Sequence, residues 1–409
     1  MPGVRNAERP QSPPGLASGL ADLSFALTGL CDKPIMEDSA RPFQNPYQET
    51  LFIEQGGSYI ERSDPMMKAA VVRGPRDIRI EMVETPSIRD DEVLVKVMAC
   101  GICGTDIHAY KKGGGTKPQG RLILGHEFSG EIAGVGSSMQ GLNMGDRVVG
   151  IGYRNCGSCY RCQQGQAEWC PQPLVPGEGL DGAFAEYVIV PRPTLGKTFF
   201  HIPEGLGWEE AATIEPVAVA CYAVTRARIQ ATETVAILGA GMIGQCIAQV
   251  CKTMGARTIV SEPSPTRLAL ANKLGADLVL NPRETDPIKA VATATSGDMA
   301  GAVFECSGSP IAFRQAVEIA RPFGKIIQVG MFEDSLELSP DLASMMFAFK
   351  NLTLRGSGGQ RWDMAVDFVR SGQVKTGELI THRFPLDRIK EGFETQLDPG
   401  NSIKVVITP

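Results

Sequence analysis

The chain contains the stretch Val235-Ala236-Ile237-Leu238-Gly239-Ala240-Gly241-Met242-Ile243-Gly244. Its leading apolar residues predict a buried strand, and its glycines have the spacing G-x-G-x-x-G, after which a helix is predicted to about residue 254. Glycines here permit a tight turn and let backbone N–H groups approach a pyrophosphate, which the positive end of the helix attracts. We therefore predict that a dinucleotide binds at the loop formed by Gly239, Gly241, Met242, Ile243 and Gly244.

An acidic residue follows the next predicted strand. Glu262 lies about twenty residues after the glycines, where a carboxylate accepts hydrogen bonds from the adenosine ribose and repels a 2′-phosphate. The sequence therefore favours NAD over NADP. Two alternatives stay open at this point: Glu262 could be an ordinary solvated residue, and the nearby Arg267 could meet a phosphate.

Apolar strands and helical segments alternate from about residue 233 onward. The predicted strands are residues 235–238, 258–261, 278–280, 302–305, 325–329 and 352–355. Six buried strands joined by helices predict an α/β fold with a doubly wound, six-stranded parallel sheet.

The rest of the chain has a different pattern. Residues 66–218 contain short β-branched segments separated by Gly and Pro, which predict a mostly β domain, and residues 219–355 hold the dinucleotide-binding sheet. Residues 356–409 are predicted to return to the first domain, because the six-stranded sheet is complete without them. Residues 1–65 are rich in Pro, Gly and Ser and predict a disordered extension. A start-site error, with Met66 or Met67 as the natural start, is an equal alternative.

Composition limits the function classes. The 409 residues carry a net charge of −6, and 43% are hydrophobic, which excludes a single small module and argues against general binding to nucleic acid or anionic membranes. No stretch approaches the ~20 apolar residues of a membrane-spanning helix. Eleven cysteines, odd in number and clustered, favour metal ligation in a reducing compartment, and hence a cytoplasmic protein.

Four of these cysteines form one motif. The spacing is Cys156-x2-Cys159-x2-Cys162-x7-Cys170, within a Gly-rich segment. Four thiolates around one tetrahedral ion leave no open position, so we predict a structural zinc site. The alternatives are two disulfides or four unrelated thiols, but adjacent Cys-x-x-Cys pairs are poorly placed for disulfide geometry.

A second group of metal-binding residue types precedes this motif. It comprises Cys103, Thr105, Asp106 and His108 in one segment, followed by the pair His126-Glu127. Each of these residues alone is a weak signal, but Cys, His and Glu are all zinc donors. Asp106 is a candidate to orient His126 from outside the set of ligands.

Together these motifs resemble the zinc-dependent medium-chain dehydrogenase/reductase superfamily, in its branch of sorbitol (polyol), threonine and butanediol dehydrogenases. The resemblance covers residues 67–409. It implies a Rossmann sheet inserted in a β-rich, GroES-like catalytic domain. It also implies a catalytic zinc held by Cys103 and His126, with Glu127 as an exchangeable ligand and Glu215 as a further ligand or a partner of the ligands.

The resemblance also implies the reaction. It is zinc- and NAD-dependent hydride transfer between a ketone and a secondary alcohol of polyol, hydroxy-amino acid or diol type. Thr105 would pass the alcohol proton through the ribose hydroxyls toward His108, and Glu127 would act at the metal. A homotetramer or homodimer is expected. The alternatives are a zinc-independent quinone or enone reductase and a dinucleotide-binding protein that has lost turnover.

Overall fold

The structure is a computed structural model that describes residues 65–113, 122–166, 169–398 and 400–409. These residues belong to one compact unit. The predicted extension lies outside the described residues except for residue 65. Within the described part of the chain, no helix has the length and apolar character needed to cross a bilayer.

The chain before residue 214 is mainly β structure. Its elements are β1 (Met66–Gly74), β2 (Asp77–Glu84), β3 (Glu92–Gly101), α1 (Gly104–Lys112), β4 (Leu122–Ile123), β5 (Glu127–Val135), β6 (Arg147–Gly150), α2 (Tyr160–Gln163), β7 (Val175–Pro176), β8 (Gly179–Leu180), β9 (Tyr187–Pro191), β10 (Phe199–His201) and α3 (Trp208–Ala212). Strands β10, β6, β5 and β3 pair in that order, and β9 also pairs with β3. The Val-rich β3 is buried along most of its length, as its central position requires.

The six-stranded sheet follows a connecting helix, α4 (Ile214–Ala227). Its elements are β11 (Thr234–Leu238), α5 (Met242–Thr253), β12 (Arg257–Ser261), α6 (Pro265–Lys273), β13 (Leu278–Leu280), α7 (Pro287–Ala294), β14 (Ala300–Glu305), α8 (Pro310–Ile319), β15 (Ala320–Gln328), α9 (Pro340–Ala343) and β16 (Thr353–Gly356). A π-helical segment, Ser344–Phe349, precedes β16. The strands are parallel in the order β13-β12-β11-β14-β15-β16, which confirms the predicted doubly wound sheet.

Helix starts in this sheet follow a local rule. Helices α6 to α9 each begin with proline, and the residue before it caps the helix through its side chain: Ser264, Asp286, Ser309 and Ser339. Helix α5 instead begins after Gly241, without a side-chain cap. The first N–H groups of α5 are therefore left for another acceptor.

The last part of the chain rejoins the first sheet. It contains α10 (Trp362–Arg370), β17 (Ile380–Pro385), α11 (Ile389–Gln396) and β18 (Lys404–Thr408). Strand β18 lies between β3 and β17, antiparallel to β3 and parallel to β17. Helix α10 packs against α4, within which the predicted boundary at 218/219 falls. The end of β3, the start of β5 and the start of β18 therefore lie side by side.

Candidate active site and metal centres

Three predicted zinc ligands, Cys103, His126 and Glu127, lie together. Strand β3 ends at Gly101, which pairs with Glu127 at the start of β5, so the residues just beyond β3 and just before β5 are neighbours. The possible ligand atoms of the three side chains all lie within 4.8 Å of one another. His126 and Glu127 are buried, and Cys103 is partly buried.

Asp106 positions this cluster through the backbone. Its carboxylate accepts hydrogen bonds from the N–H of Cys103 at 2.9 Å and from the N–H of Gly125 at 3.2 Å. Its Oδ1 lies 3.7 Å from Nδ1 of His126, within ion-pair distance but too long for a hydrogen bond. Gly125 has a φ of +99°, which favours glycine, and a Cβ there would lie 2.9 Å from the sulfur of Cys100. Asp106 thus fixes the segments that carry two candidate ligands.

Glu127 has a buried cationic partner that the sequence reasoning missed. Nζ of Lys404 lies 2.6 Å from the Glu127 carboxylate and 2.9 Å from the carbonyl of Ile102. A Cβ on Gly101 would lie 2.3 Å from Oε2 of Glu127, so glycine makes room for this pair. The available signal was a lysine within the otherwise apolar closing strand, because a buried lysine normally has a charged partner.

Glu215, at the start of α4, is buried beside the cluster but is not part of the group within 4.8 Å. Its Oε1 accepts a short hydrogen bond from the amide of Gln360. Burial, together with the nearby carboxylate of Glu127, raises the pKa of Glu215 to about 7. His126 and Lys404 act in the opposite direction.

The residues of the cluster fit a zinc ion. Thiolate, imidazole and carboxylate are zinc ligands, and three protein ligands leave one position open. Burial raises the pKa of the Cys103 thiol, which His126 partly offsets, so a metal cation would favour its ligating thiolate form. The Nδ1 of His126 and the Oγ1 of Thr105 are buried without a hydrogen-bond partner among the described residues. Orphaned polar atoms of this kind suit a site that faces a ligand.

Thr105 and His108 lie on α1, beside the cluster. Nδ1 of His108 is 3.0 Å from Oε1 of Glu333, which also pairs with Lys111 at 3.1 Å. The hydrogen bond from Lys111 lowers the pKa of the Glu333 carboxyl group. Because Glu333 follows β15, these pairs connect α1 with the segment after a strand of the six-stranded sheet.

The glycine loop has the geometry of a dinucleotide site. Gly239 has a φ of +99°, and a Cβ on Gly244 would lie 2.0 Å from the carbonyl oxygen of Gly239. Gly241 precedes α5, while Met242 and Ile243 form its first turn. The close packing of loop and helix leaves no space for side chains at Gly244, as the spacing predicts.

Glu262 and Arg267 border the same loop. Glu262 is 4% exposed, and its two carboxylate oxygens accept hydrogen bonds from the N–H groups of Ala240 at 2.7 Å and Ser264 at 2.9 Å. It is therefore not a solvated residue. The guanidinium of Arg267 donates to the carbonyl of Ser402 at 2.7 and 3.1 Å.

The four-cysteine motif folds around one point. The possible ligand atoms of its four cysteines lie within 4.8 Å of one another: Cys156, Cys159, Cys162 and Cys170. Backbone N–H groups of Cys159 and Ser158 lower the pKa of Cys156 to about 6. Its sulfur is 3.6 Å from that of Cys170 and 3.9 Å from that of Cys162, longer than a disulfide bond, and the ten described cysteines are free thiols. The donor set fits a structural zinc ion.

Replacing Cys159 by serine should lower the stability of the protein more than it lowers turnover at the catalytic site. Cys159 caps α2 and is one of four donors that hold an exposed segment with little apolar core. We expect loss of one zinc per chain and a lower melting temperature, measured by metal analysis and thermal unfolding. Retention of all bound zinc with unchanged melting would contradict this assignment.

Comparison with known proteins identifies the family. The family model described as zinc-binding dehydrogenase matches residues 243–371, and that described as alcohol dehydrogenase GroES-like domain matches residues 89–204. Sorbitol dehydrogenase of Bacillus subtilis (strain 168) is 36% identical over 356 residues, which cover 84% of this chain and 97% of that protein. The chain belongs to the zinc-dependent medium-chain dehydrogenases/reductases.

Solved structures support the same family assignment. The crystal structure of 2R,3R-butanediol dehydrogenase from Bacillus subtilis has a TM-score of 0.74 and 31% identity, and the match covers 84% of this chain and 99% of that chain. A protein from Sinorhizobium meliloti 1021 whose crystal structure contains NADP has a TM-score of 0.76 and 32% identity, over 85% and 100% of the two chains.

Family membership confirms the predicted class of activity. The dehydrogenase is an oxidoreductase that acts on CH–OH groups, with zinc and NAD(P) as cofactors. Its fold is the predicted Rossmann sheet combined with a GroES-like domain. The alternative of a zinc-independent reductase does not describe it.

Proposed function

We propose that the dehydrogenase oxidises a secondary alcohol that has a neighbouring polar group, as in a polyol, a diol or a hydroxy-amino acid. The observation that carries this proposal is the cluster of Cys103, His126 and Glu127 with a second carboxylate, Glu215, beside it. A carboxylate in place of a second thiolate makes the site richer in oxygen and more polar, which suits a substrate with two oxygen or nitrogen groups. Relatives named sorbitol dehydrogenase and butanediol dehydrogenase support this class.

The chain's residues then have separable roles. When bound, zinc acts as a Lewis acid on the substrate oxygen, and NAD accepts the hydride from the substrate carbon. Cys103, His126 and Glu127 would hold the metal, and Lys404 would bind the carboxylate of Glu127 whenever that carboxylate leaves the metal. The unpartnered Oγ1 of Thr105 would accept a hydrogen bond from the substrate hydroxyl, take its proton and release its own proton toward His108 and solvent.

The binding of NAD is assigned to the glycine loop and its neighbours. The N–H groups at the start of α5, which has no side-chain cap, would bind the pyrophosphate, and Glu262 would accept hydrogen bonds from the ribose hydroxyls. Glu262 also organises the loop by accepting the N–H of Ala240. Arg267 lies beside Gly241, where its charge faces the same region.

Glu262→Ala should weaken NAD binding by about tenfold or more, because hydrogen bonds to a carboxylate are lost, and it should relax the rejection of NADP. The measurement is the dissociation constant for each nucleotide, by fluorescence titration. Glu262→Asp is the matched control, since it keeps both acceptor oxygens and the charge that repels a 2′-phosphate. An unchanged ratio of NAD to NADP affinity in the alanine variant would refute the ribose role.

The domain division follows the strand pairing. We place residues 66–218 and 356–409 in the catalytic domain and residues 219–355 in the NAD-binding domain. Pairing of β18 with β3 supports this division, since it ties the end of the chain to the first sheet. The substrate would bind where the two parts meet, near the carboxyl ends of the sheet strands.

A homo-oligomer, dimer or tetramer, fits the outer edge of the six-stranded sheet. Strand β16 is the last strand there, and exposed apolar residues lie on or near it: Phe323, Phe347, Phe349 and Leu354. An exposed apolar sheet edge favours pairing with a second copy. Sedimentation analysis of the purified protein tests this, and a monomer at micromolar concentration would overturn it. The ten cysteines in the described part of the chain are free thiols, which suits a cytoplasmic location.

The function is tested by metal analysis together with a substrate screen. We expect two zinc ions per chain and reduction of NAD with polyols, butanediols or threonine in preference to simple primary alcohols. One zinc per chain and no turnover with any of these substrates would contradict the proposal. Turnover confined to primary alcohols would retain the enzyme class and refute the substrate class.

A further inference from the structure

Gln360 connects the catalytic cluster with two aromatic residues. It lies between β16 and α10, and its Nε2 donates to Oε1 of Glu215. Its Oε1 accepts hydrogen bonds from the hydroxyl of Tyr153 at 2.8 Å and from Nε1 of Trp362 at 2.9 Å. The amide group is therefore held by three specific partners, one on its nitrogen and two on its oxygen.

The aromatic partners fix the orientation of the amide. The indole N–H of Trp362 can only donate, so the atom that faces it must be the amide oxygen. The NH2 group must then face Glu215, whose carboxylate is an acceptor. Since Trp362 is 3% exposed and its indole packs in the core, its N–H cannot turn to another partner without unpacking.

Glu215 needs such a constraint because of where it lies. Its carboxylate is buried and close enough to Glu127 and His126 to interact electrostatically with both, yet it is outside the three-residue cluster. Carboxylates are good zinc ligands, so an unrestrained Glu215 would compete for the fourth coordination position. The hydrogen bond from Gln360 opposes that movement.

We propose that Gln360 is a positioning residue that holds Glu215 beside the metal cluster and keeps the fourth coordination position available for substrate. This inference rests on the proposed zinc site. Gln360 thus acts on the metal site through Glu215, and Tyr153 and Trp362 fix the orientation of its amide group.

The test compares Gln360→Met, Glu215→Gln and the double variant, each loaded with Co²⁺ or Zn²⁺ at the catalytic site. Met has a similar length but donates no hydrogen bond, so Glu215 should be free to reach the metal. We expect changed visible absorption bands of the Co²⁺ form, slower zinc release to a chelator, and kcat/KM lower by about 10–100-fold, the usual range for partners of metal ligands. In the Glu215→Gln background, Gln360→Met should have no further effect on spectrum or zinc release.

The direction of zinc release separates this proposal from a packing role. Faster release in Gln360→Met, or an unchanged Co²⁺ spectrum, would overturn the proposal, because loss of packing alone loosens the site. The same change in the Glu215→Gln background would also overturn it. Trp362→Phe removes the indole donor and permits the amide to flip, so it should show a smaller change of the same sign if Gln360→Met folds poorly. The spectra and release rates need no substrate, so a wrong substrate class would not affect their outcome.

Discussion

Cys103→Ser should reduce turnover by more than about 100-fold, while the protein still folds and binds NAD. The loss should exceed this value because removing a residue that only hydrogen-bonds to a metal ligand already costs up to about 100-fold. Cys103 supplies the only thiolate of the three-residue cluster, and a serine hydroxyl is a poor replacement at neutral pH. The glycine loop, by contrast, contains none of the cluster residues. The measurements are zinc per chain, kcat/KM and the dissociation constant for NAD.

Cys100→Ser is the matched control for this substitution. Cys100 lies near the end of β3, three residues before Cys103, and is fully buried, but its sulfur is not part of the metal-binding group. It should retain both zinc ions. Equal loss of folded protein in Cys103→Ser and Cys159→Ser would contradict the division into a catalytic and a structural metal site.

The sheet could be predicted from sequence because its signals are local. Five of the six predicted strands begin within two residues of the structural strands, since each is a short apolar run between turn-forming residues. The exception is β15, which begins at Ala320 instead of residue 325. Pro322 and Gly324 lie near this start and are typical of a turn, so the sequence pattern does not predict a strand there. Phe323, between them, has a φ of +59°. The strand pairs with Ala300 before this irregular stretch and regains regular pairing at Lys325.

The catalytic cluster was predictable only in part. Cys103, His126 and Glu127 carry ligand chemistry in recognisable motifs, so resemblance located them. Asp106 was predicted to act beside His126, and its carboxylate does lie 3.7 Å from the imidazole, but its hydrogen bonds go to the backbone N–H groups of Cys103 and Gly125. A side chain's choice between such neighbours depends on distances of less than about 1 Å, which spacing along the chain does not determine.

Lys404 and Gln360 were missed because their partners are remote in sequence. Lys404 is 277 residues from Glu127, and Gln360 is 145 residues from Glu215. Each lies in a segment whose local pattern predicts only a strand or a loop. The contacts form because the residues after 356 return to the first sheet. The prediction that these residues rejoin the first domain implied that they approach the site. It did not indicate which side chains meet there.

Lys404→Met should cause a large loss of stability, because it removes the cation of a buried ion pair. Without Nζ, the Glu127 carboxylate is buried without its counterion, and the hydrogen bond to the carbonyl of Ile102 is also lost. Breaking a buried ion pair in this way lowers the free energy of unfolding by about 3–5 kcal/mol. Lys68→Met is the matched control, because Lys68 pairs with Asp387 at 3.0 Å on the surface, and exposed pairs contribute about 0–1 kcal/mol.

The effect should depend on zinc, and this dependence distinguishes the pair's function from a purely structural one. A metal ion at the cluster offers Glu127 a second cationic partner, so Lys404→Met should lower the melting temperature more in the chelator-treated protein than in the zinc-loaded protein. Both forms are compared by thermal unfolding, with metal content measured before and after. An equal decrease in both forms would mean that Glu127 does not exchange its lysine for the metal. A decrease no larger than that of Lys68→Met would mean that water already compensates the carboxylate, and the buried ion pair would then have no energetic role.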